Sequence, residues 1–212
     1  MNLRHRFGHV FGLEVGIAAA VFVLVVATVI VAVILSRARR GRRPSRKSEH
    51  PRLELAYTLV VAAVAGFVIF TSTSANASKD PGPPALVVRV TGFQWCWRFA
   101  YLATPVTNTG DCLGGKVPIL DLPAGRRVEF QVTSADVVHS MWVPYLRFKM
   151  DAFPNHVNTF TTSFANPGSY PGRCAEFCGL YHSSMDFTVN VMPAGQFDGW
   201  LTGREDAARS AT

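Results

Sequence analysis

Two long stretches of the chain carry no charge: one between Glu14 and Arg37, the other between Glu54 and Lys79. In the first, Val15 to Leu35 is an almost purely apolar run of 21 residues, long enough to cross a bilayer as a helix. In the second, Leu55 to Phe70 is apolar and the polar run Thr71 to Ser78 follows. The pattern predicts two transmembrane helices, at about 12–36 and 53–72, in a membrane anchor spanning 1–72. A cleaved signal peptide is the rival reading of the first segment. Its apolar run is too long for that and lacks an obvious small-residue cleavage site. Arginines follow it at once, as in a stop-transfer pattern, so the segment reads as a retained helix.

From Ala85 onward the period changes. Short apolar runs alternate with turn residues. Leu86–Val90, Gln94–Tyr101, Arg127–Val132, Val137–Val143, Val157–Phe164 and Met185–Met192 read as strands, and Pro-Gly pairs at 81–84, 123–125, 167–168 and 171–172 read as breaks between them. Many short strands with regular breaks predict a sandwich or barrel over 85–202. Pro193 can open a short last helix carrying Phe197 and Trp200. Residues 73–84 read as a polar, Pro-rich linker and 203–212 as a mobile tail. The fold class is thus two transmembrane α-helices followed by an all-β domain.

Charge sharpens this layout. The formal net charge of +7 lies wholly in residues 1–72, with ten Lys or Arg against three acids; residues 73–212 carry eleven of each. That balance removes nucleic acid as a partner. Arg37, Arg39, Arg40, Arg42, Arg43, Arg46, Lys47 and Arg52 fill the connector 37–52 between the helices, which belongs on the cytoplasmic side. Two crossings then place both termini, and the β domain, outside. All four cysteines lie in that outer part, where disulfides are permitted.

The stretch Cys174-Ala-Glu-Phe-Cys178-Gly-Leu-Tyr-His182-Ser-Ser-Met185 puts two thiols, an imidazole and a thioether into twelve residues. A Cys174–Cys178 disulfide with ordinary neighbours is the bland alternative. Zinc would call for a second close Cys or His pair, which is absent, and Met185 suits zinc poorly. Thiolate, thioether and imidazole together favour copper. A mononuclear copper loop uses one cysteine; here there are two, which can bridge two metal ions. Met185 and the backbone carbonyl of Glu176 can serve as weak axial ligands, and His139, after Asp136-Val137-Val138, supplies the second imidazole.

The pattern His139…Cys174-x-Glu176-x-Cys178-x3-His182-x2-Met185 resembles the dinuclear copper A motif of cytochrome c oxidase subunit II. "GFQWCWRF", "VHSMWVP", "KMDAFP" and "PGSYPGRCAEFCG" are similar to other segments of that family, and the likeness covers nearly the whole chain. It implies a cupredoxin-like domain whose dinuclear copper (CuA) is held by His139, Cys174, Glu176 through its carbonyl, Cys178, His182 and Met185. It also implies the role of subunit II in a proton-translocating oxidoreductase. Electrons pass from cytochrome c, or a membrane-bound c-type cytochrome, through copper A to subunit I and its haems, where oxygen becomes water and protons are pumped. The oxygen chemistry would lie elsewhere in the complex. The setting implied is a bacterial-type plasma membrane, with subunit I and other oxidase subunits as partners. The Glu176 carboxylate resembles one that helps hold magnesium at the subunit I interface. Trp95 resembles an exposed tryptophan where electrons enter. Glu54 reads equally as a family glutamate near a proton-uptake path or as a carboxylate that ends the membrane span. Gly168, Gly172 and Gly179 are expected to permit the tight backbone of the copper loop.

Two departures matter. Cys96 replaces an aromatic between Trp95 and Trp97, and no Cys-x-x-Cys-His motif for an attached haem occurs. The family's docking face is typically acidic, whereas this domain is neutral, with Asp111, Asp121, Glu129 and Asp136 as the available acids. The alternative function is the copper A subunit of a nitric oxide reductase. A quinol oxidase subunit lacks these ligands, a nitrous oxide reductase lacks the two spans, and a copper carrier favours open sites. Cys96 and Cys112 lie outside the ligand set and are expected to form a disulfide that pins the loop 103–116, a closure worth roughly 3 kcal/mol.

Overall fold

The computed structural model describes residues 3–38, 49–77 and 83–210. Most of the basic connector and part of the linker fall outside these residues. The chain divides into two compact units, one made of residues 6–79 and the other mainly of 80–212.

The first unit holds two helices, α1 (Leu3–Ala38) and α2 (Pro51–Ala77). Both run past the apolar stretches that predict them, because the polar flanks contain no breaker. Residues 73–77, expected as linker, are therefore the last turn of α2. Proline is at home at the first helical position, where no N–H is needed, and Pro51 opens α2 there. The Glu54 carboxylate accepts a bond from the His50 backbone N–H at 3.2 Å, so it caps this end. Ser72 donates to the Glu14 carboxylate at 2.9 Å. Both helices are long and apolar enough to cross a membrane, with none of their apolar windows buried within the protein. A helix satisfies its own backbone groups, and so can present such a surface to lipid.

The second unit is a sandwich of two five-stranded sheets. The first has the order β3 (Thr107–Thr109), β2 (Cys96–Tyr101), β1 (Leu86–Phe93), β5 (Val128–Ser134), β8 (Asn158–Thr162). The second runs β4 (Ile119–Pro123), β10 (Asp186–Met192), β9 (Gly168–Cys174), β6 (His139–Val143), β7 (Phe148–Ala152). Neighbours are antiparallel except β1 with β5 and β4 with β10, which run parallel. Alternation decides the faces. Val88, Val90, Phe99, Tyr101, Val128, Phe130 and Val132 point inward from one sheet; Leu120, Leu122, Phe187, Val189 and Val191 are buried on the other. Burying each such large side chain stabilises by about 1.5–3 kcal/mol. Phe187 stitches the layers, with its ring 5.6 Å from both Trp97 and Phe99.

Four strands, β3, β4, β7 and β9, are absent from the sequence reading. Pro171 and Gly172, read there as a break, lie inside β9. β6 pairs with β9 only at Cys174 and Arg173, so at Pro171 one neighbour is already gone and a missing N–H costs no ladder bond. At Gly172 a Cβ would fall 2.2 Å from the Phe187 ring. The last helix is not short. α3 runs Ala194–Ser210, so residues 203–210, expected as a tail, are helical. Phe197 anchors it, and Trp200 packs 5.4 Å from Tyr101. The Tyr101 hydroxyl donates to the Asp121 carbonyl and accepts from the Asp121 N–H, both at 2.9 Å.

Candidate metal centre

Three pieces of the second sheet converge at one end of the sandwich. His139 begins β6, Cys174 ends β9, and the loop from Ala175 to Met185 leads into β10. The register of β6 against β9 pairs Met141 with Cys174. One bond further, the Ala175 N–H reaches the Ser140 carbonyl at 2.9 Å, which draws the loop against the strand that carries His139. The Cys174 N–H bonds the Met185 carbonyl at 3.0 Å and closes the loop at its base. A single 3-10 turn, His182–Ser184, aims His182 inward.

The donor atoms meet. The Cys174 and Cys178 sulfurs lie 3.9 Å apart, and both cysteines are free. The bland reading of a Cys174–Cys178 disulfide is therefore not what the chain adopts. His139 Nδ1 is 3.9 Å from the Cys174 sulfur, and His182 Nδ1 is 3.5 Å from that of Cys178. The Met185 sulfur stands 3.3 Å from Cys178, and the Glu176 carbonyl oxygen 3.3 Å from Cys174. Ligand atoms of His139, Cys174 and Cys178 all fall within 4.8 Å of one another. His139 and Met185 are fully buried, and both cysteines nearly so. The Glu176 side chain points outward instead, 3.7 Å from Lys149.

The electrostatics suit a cation. Burial opposes a charged imidazole at His139, yet the Cys174 sulfur and the Asp136 carboxylate outweigh it and hold its pKa above the usual histidine range. Burial likewise opposes ionisation of Cys174, but His139 and backbone donors prevail and its pKa falls. Burial and then the neighbouring Cys174 push the Cys178 thiol up. Two thiolates this close repel each other unless a positive charge sits between them. Two soft sulfurs, two imidazoles, a thioether and a carbonyl converge on one dry spot, so the residues fit the copper pair expected of them.

Several supporting residues escaped the sequence reading. Asp136, taken there as a docking acid, bonds His139 Nε2 at 2.8 Å and so leaves Nδ1 facing the sulfurs. It also accepts from the Gln94 and Val137 N–H groups, both at 2.6 Å. Burial opposes it, but these bonds hold the Asp136 pKa below the usual carboxylate range. A carboxylate behind a ligating histidine fixes the ring and its tautomer. Its place three residues before His139 was the available signal. At Gly92 a Cβ would stand 2.9 Å from the His139 ring, so only glycine leaves room there. Gly179, by contrast, was expected to permit a tight backbone, and it adopts φ of 114°, a region that side chains avoid.

Trp95 sits in the turn before β2, half-buried, while Trp97 lies in the core. The Trp95 indole N–H donates to the Cys178 carbonyl at 3.1 Å, and its ring meets Tyr181 edge-on at 4.9 Å. Gln94 Nε2 donates to the same carbonyl at 2.9 Å. The expected Cys96–Cys112 disulfide is present, with Cα atoms 5.3 Å apart.

Fold and site define a class: two long apolar helices followed by a β-sandwich, with sulfur and imidazole groups that could hold a metal gathered at one end of the sandwich. Comparison with known proteins narrows it. The family profile described as "Cytochrome C oxidase subunit II, periplasmic domain" matches residues 115–192. The probable cytochrome c oxidase subunit 2 of Rickettsia bellii is 30% identical over 227 aligned residues, covering 98% of this chain and 81% of that protein. That of Mycobacterium leprae is 33% identical over 220 aligned residues, covering 75% of this chain but 62% of the relative. The chain thus spans rather less than two thirds of its mycobacterial relatives. The crystal structure of the periplasmic domain of cytochrome oxidase subunit II from Bradyrhizobium japonicum is 26% identical, with a TM-score of 0.54, over 59% of this chain and 97% of that one.

The outer domain is cupredoxin-like, and the chain belongs to the cytochrome c oxidase subunit 2 family. The two apolar helices and the match to a periplasmic domain support a membrane protein with an extracytoplasmic C-terminal domain.

Proposed function

We propose that this chain is the subunit through which electrons enter a respiratory cytochrome c oxidase in a bacterial-type cell membrane. A c-type cytochrome, soluble or membrane-bound, would be the donor. Subunit I, with its haems, would be the acceptor and the seat of oxygen reduction and proton pumping. The ligands would be His139, Cys174, the Glu176 carbonyl, Cys178, His182 and Met185. Bound there, a dinuclear copper would supply one-electron acceptance and release with little change in bond lengths.

The protein's own residues do the rest. Asp136 holds the His139 ring with Nδ1 toward the sulfurs. Burial of both cysteines and Met185 excludes water. Gln94 and Trp95 hold the Cys178 carbonyl in place, and the half-buried indole of Trp95 offers a π-surface between solvent and that carbonyl. The Glu176 carboxylate is exposed and 3.7 Å from Lys149, and it would supply one oxygen to a magnesium ion. A site for that ion would need further oxygen ligands from subunit I.

The observation that carries the reading is the convergence of three side chains, His139, His182 and Met185, and the Glu176 carbonyl on the Cys174–Cys178 sulfur pair. The test is metal analysis with electron paramagnetic resonance on the full chain purified in detergent. Two coppers per chain are expected, with one unpaired electron coupled equally to both nuclei. One copper per chain with coupling to a single nucleus would refute the dinuclear site. The haems and gas substrate of the copurifying large subunit distinguish oxygen from nitric oxide as the terminal acceptor.

A further inference from the structure

Four consecutive residues, Gln94 to Trp97, send three side-chain donors into the metal loop. Gln94 and Trp95 bond the Cys178 carbonyl at 2.9 and 3.1 Å, and Trp97 Nε1 bonds the Met185 carbonyl at 3.2 Å. The fourth residue, Cys96, is buried and carries the disulfide to Cys112. At its far end the Cys112 sulfur lies 3.6 Å from the Asp186 carbonyl oxygen, one residue beyond Met185. The bridge therefore lies between the donor stretch and the end of the loop those donors clamp.

Little else ties the segment that carries Cys112. It hangs from β3, a three-residue edge strand, from a Gly110 N–H to Trp97 carbonyl bond at 3.3 Å and, at its far end, from a Thr188 N–H to Pro118 carbonyl bond at 3.0 Å, while the Asp111–Lys116 backbone pair only closes it on itself. Such short exposed edges open easily. Gln94 and Trp95 form the two-residue turn between β1 and β2, which is closed by the Phe93–Cys96 pair and by the Gln94 N–H bond to Asp136 at 2.6 Å, so the bridge leaves from the residue that closes this turn.

We propose that the Cys96–Cys112 disulfide is a positioning latch for the copper loop. It fixes the tetrapeptide Gln94–Trp97 so that its three N–H groups hold the carbonyls of Cys178 and Met185. Opening the latch removes no ligand. It frees the donors to swing, loosens two ligand residues at their backbone, and lets Trp95 drift from Cys178. The inference rests on the copper reading only for the metal-dependent half of its test.

The test uses the full chain in detergent, as Cys112→Ser and as Cys96→Ala with Cys112→Ala. The first variant breaks the bond while the Cys96 thiol still fills its buried place. Nuclear magnetic resonance of the copper-free chain then follows exchange of the four indole N–H protons. Trp95 and Trp97 are expected to exchange at least about tenfold faster in both variants, while Trp142 and Trp200 keep their wild-type rates. In the copper-loaded chain both coppers stay bound and the reduction potential moves. A bridge that only adds global stability would leave the native-state potential unmoved and treat all four indoles alike. Either result would overturn the latch, as would failure of both variants to fold. Absence of copper from the wild-type chain would sink the functional reading but leave the indole comparison valid.

Discussion

Around Cys178 the roles of single residues separate. Its sulfur touches Cys174, His182 and Met185, and its carbonyl accepts from Gln94 and Trp95. Met185 approaches from one side only and fills buried volume that leucine fills about as well, at a cost under about 1.5 kcal/mol. Met185→Leu should therefore keep the fold and most of the copper but shift the reduction potential. Cys178→Ser should lose the dinuclear signal, since in the proposed centre this thiolate would be shared by both metals. Equal behaviour of the two variants in metal analysis and potentiometry would show the roles misassigned. Trp95→Phe removes one of two donors to the Cys178 carbonyl and leaves Gln94. It should slow electron transfer from the donor protein with little change in copper or thermal stability. Stopped-flow kinetics with unchanged donor rates would reject Trp95 as the point where electrons enter.

Individual elements hold one another through a few polar anchors in apolar surroundings. The parallel pair β4–β10 and the helix α3 meet around Asp121, a buried residue whose carboxylate accepts from Asn190 at 2.6 Å. Burial pushes its pKa up; the Asn190 donor and Arg204 offset this only in part. The folded chain thus binds this proton more tightly than the unfolded one. Asp121 then costs stability as pH rises from the unfolded value near 4 through the raised folded value, and the cost persists above it. Asp121→Asn keeps an oxygen for Asn190 and removes the charge. Denaturant titrations at several pH values should find the variant more stable near neutrality, with the advantage shrinking on acidification toward pH about 4. An advantage independent of pH would show that charge burial is not its source.

For the molecule as a whole, most of the described acids of the outer domain are already engaged. Asp136 holds His139, Asp121 is buried, and Asp151 and Glu176 share Lys149. Asp186 pairs with Arg173, Asp198 with Arg126, and Glu205 with Arg209. Near the proposed centre the exposed large apolar side chains are Phe177, Leu180 and Tyr181. Long-range steering of a basic donor needs a field that such paired charges do not provide. The donor association rate should therefore change by less than about threefold as salt shortens the screening length from about 30 to 8 Å. A tenfold or steeper fall would place an acidic docking face on another subunit of the complex.

The sequence by itself determined the features that are local in the chain. Long uncharged runs specified the two apolar helices, because a helix closes its hydrogen bonds within its own segment. Period-2 runs gave the strands with regular faces, β5 and β10 among them. The candidate metal loop was legible because five of its six proposed ligand residues fall between Cys174 and Met185, and sulfur with imidazole at that density has few other uses. Only the tertiary structure decided what depends on distant partners. β9 could not be read through Pro171 and Gly172, since their tolerance depends on where β6 stops and where Phe187 lies. β3 has three polar residues and takes its strand form from pairing with β2. Asp136 looked like any surface acid until the β6 register set it behind His139. Gln94 and Trp95 meet Cys178 across separations of 84 and 83 residues, a contact that no local pattern encodes. Spacing along the chain can nominate ligands. The packing of two sheets fixes which atoms of those ligands face one another, because sheet pairing sets strand position to within a residue and each residue's step turns a side chain to the opposite face.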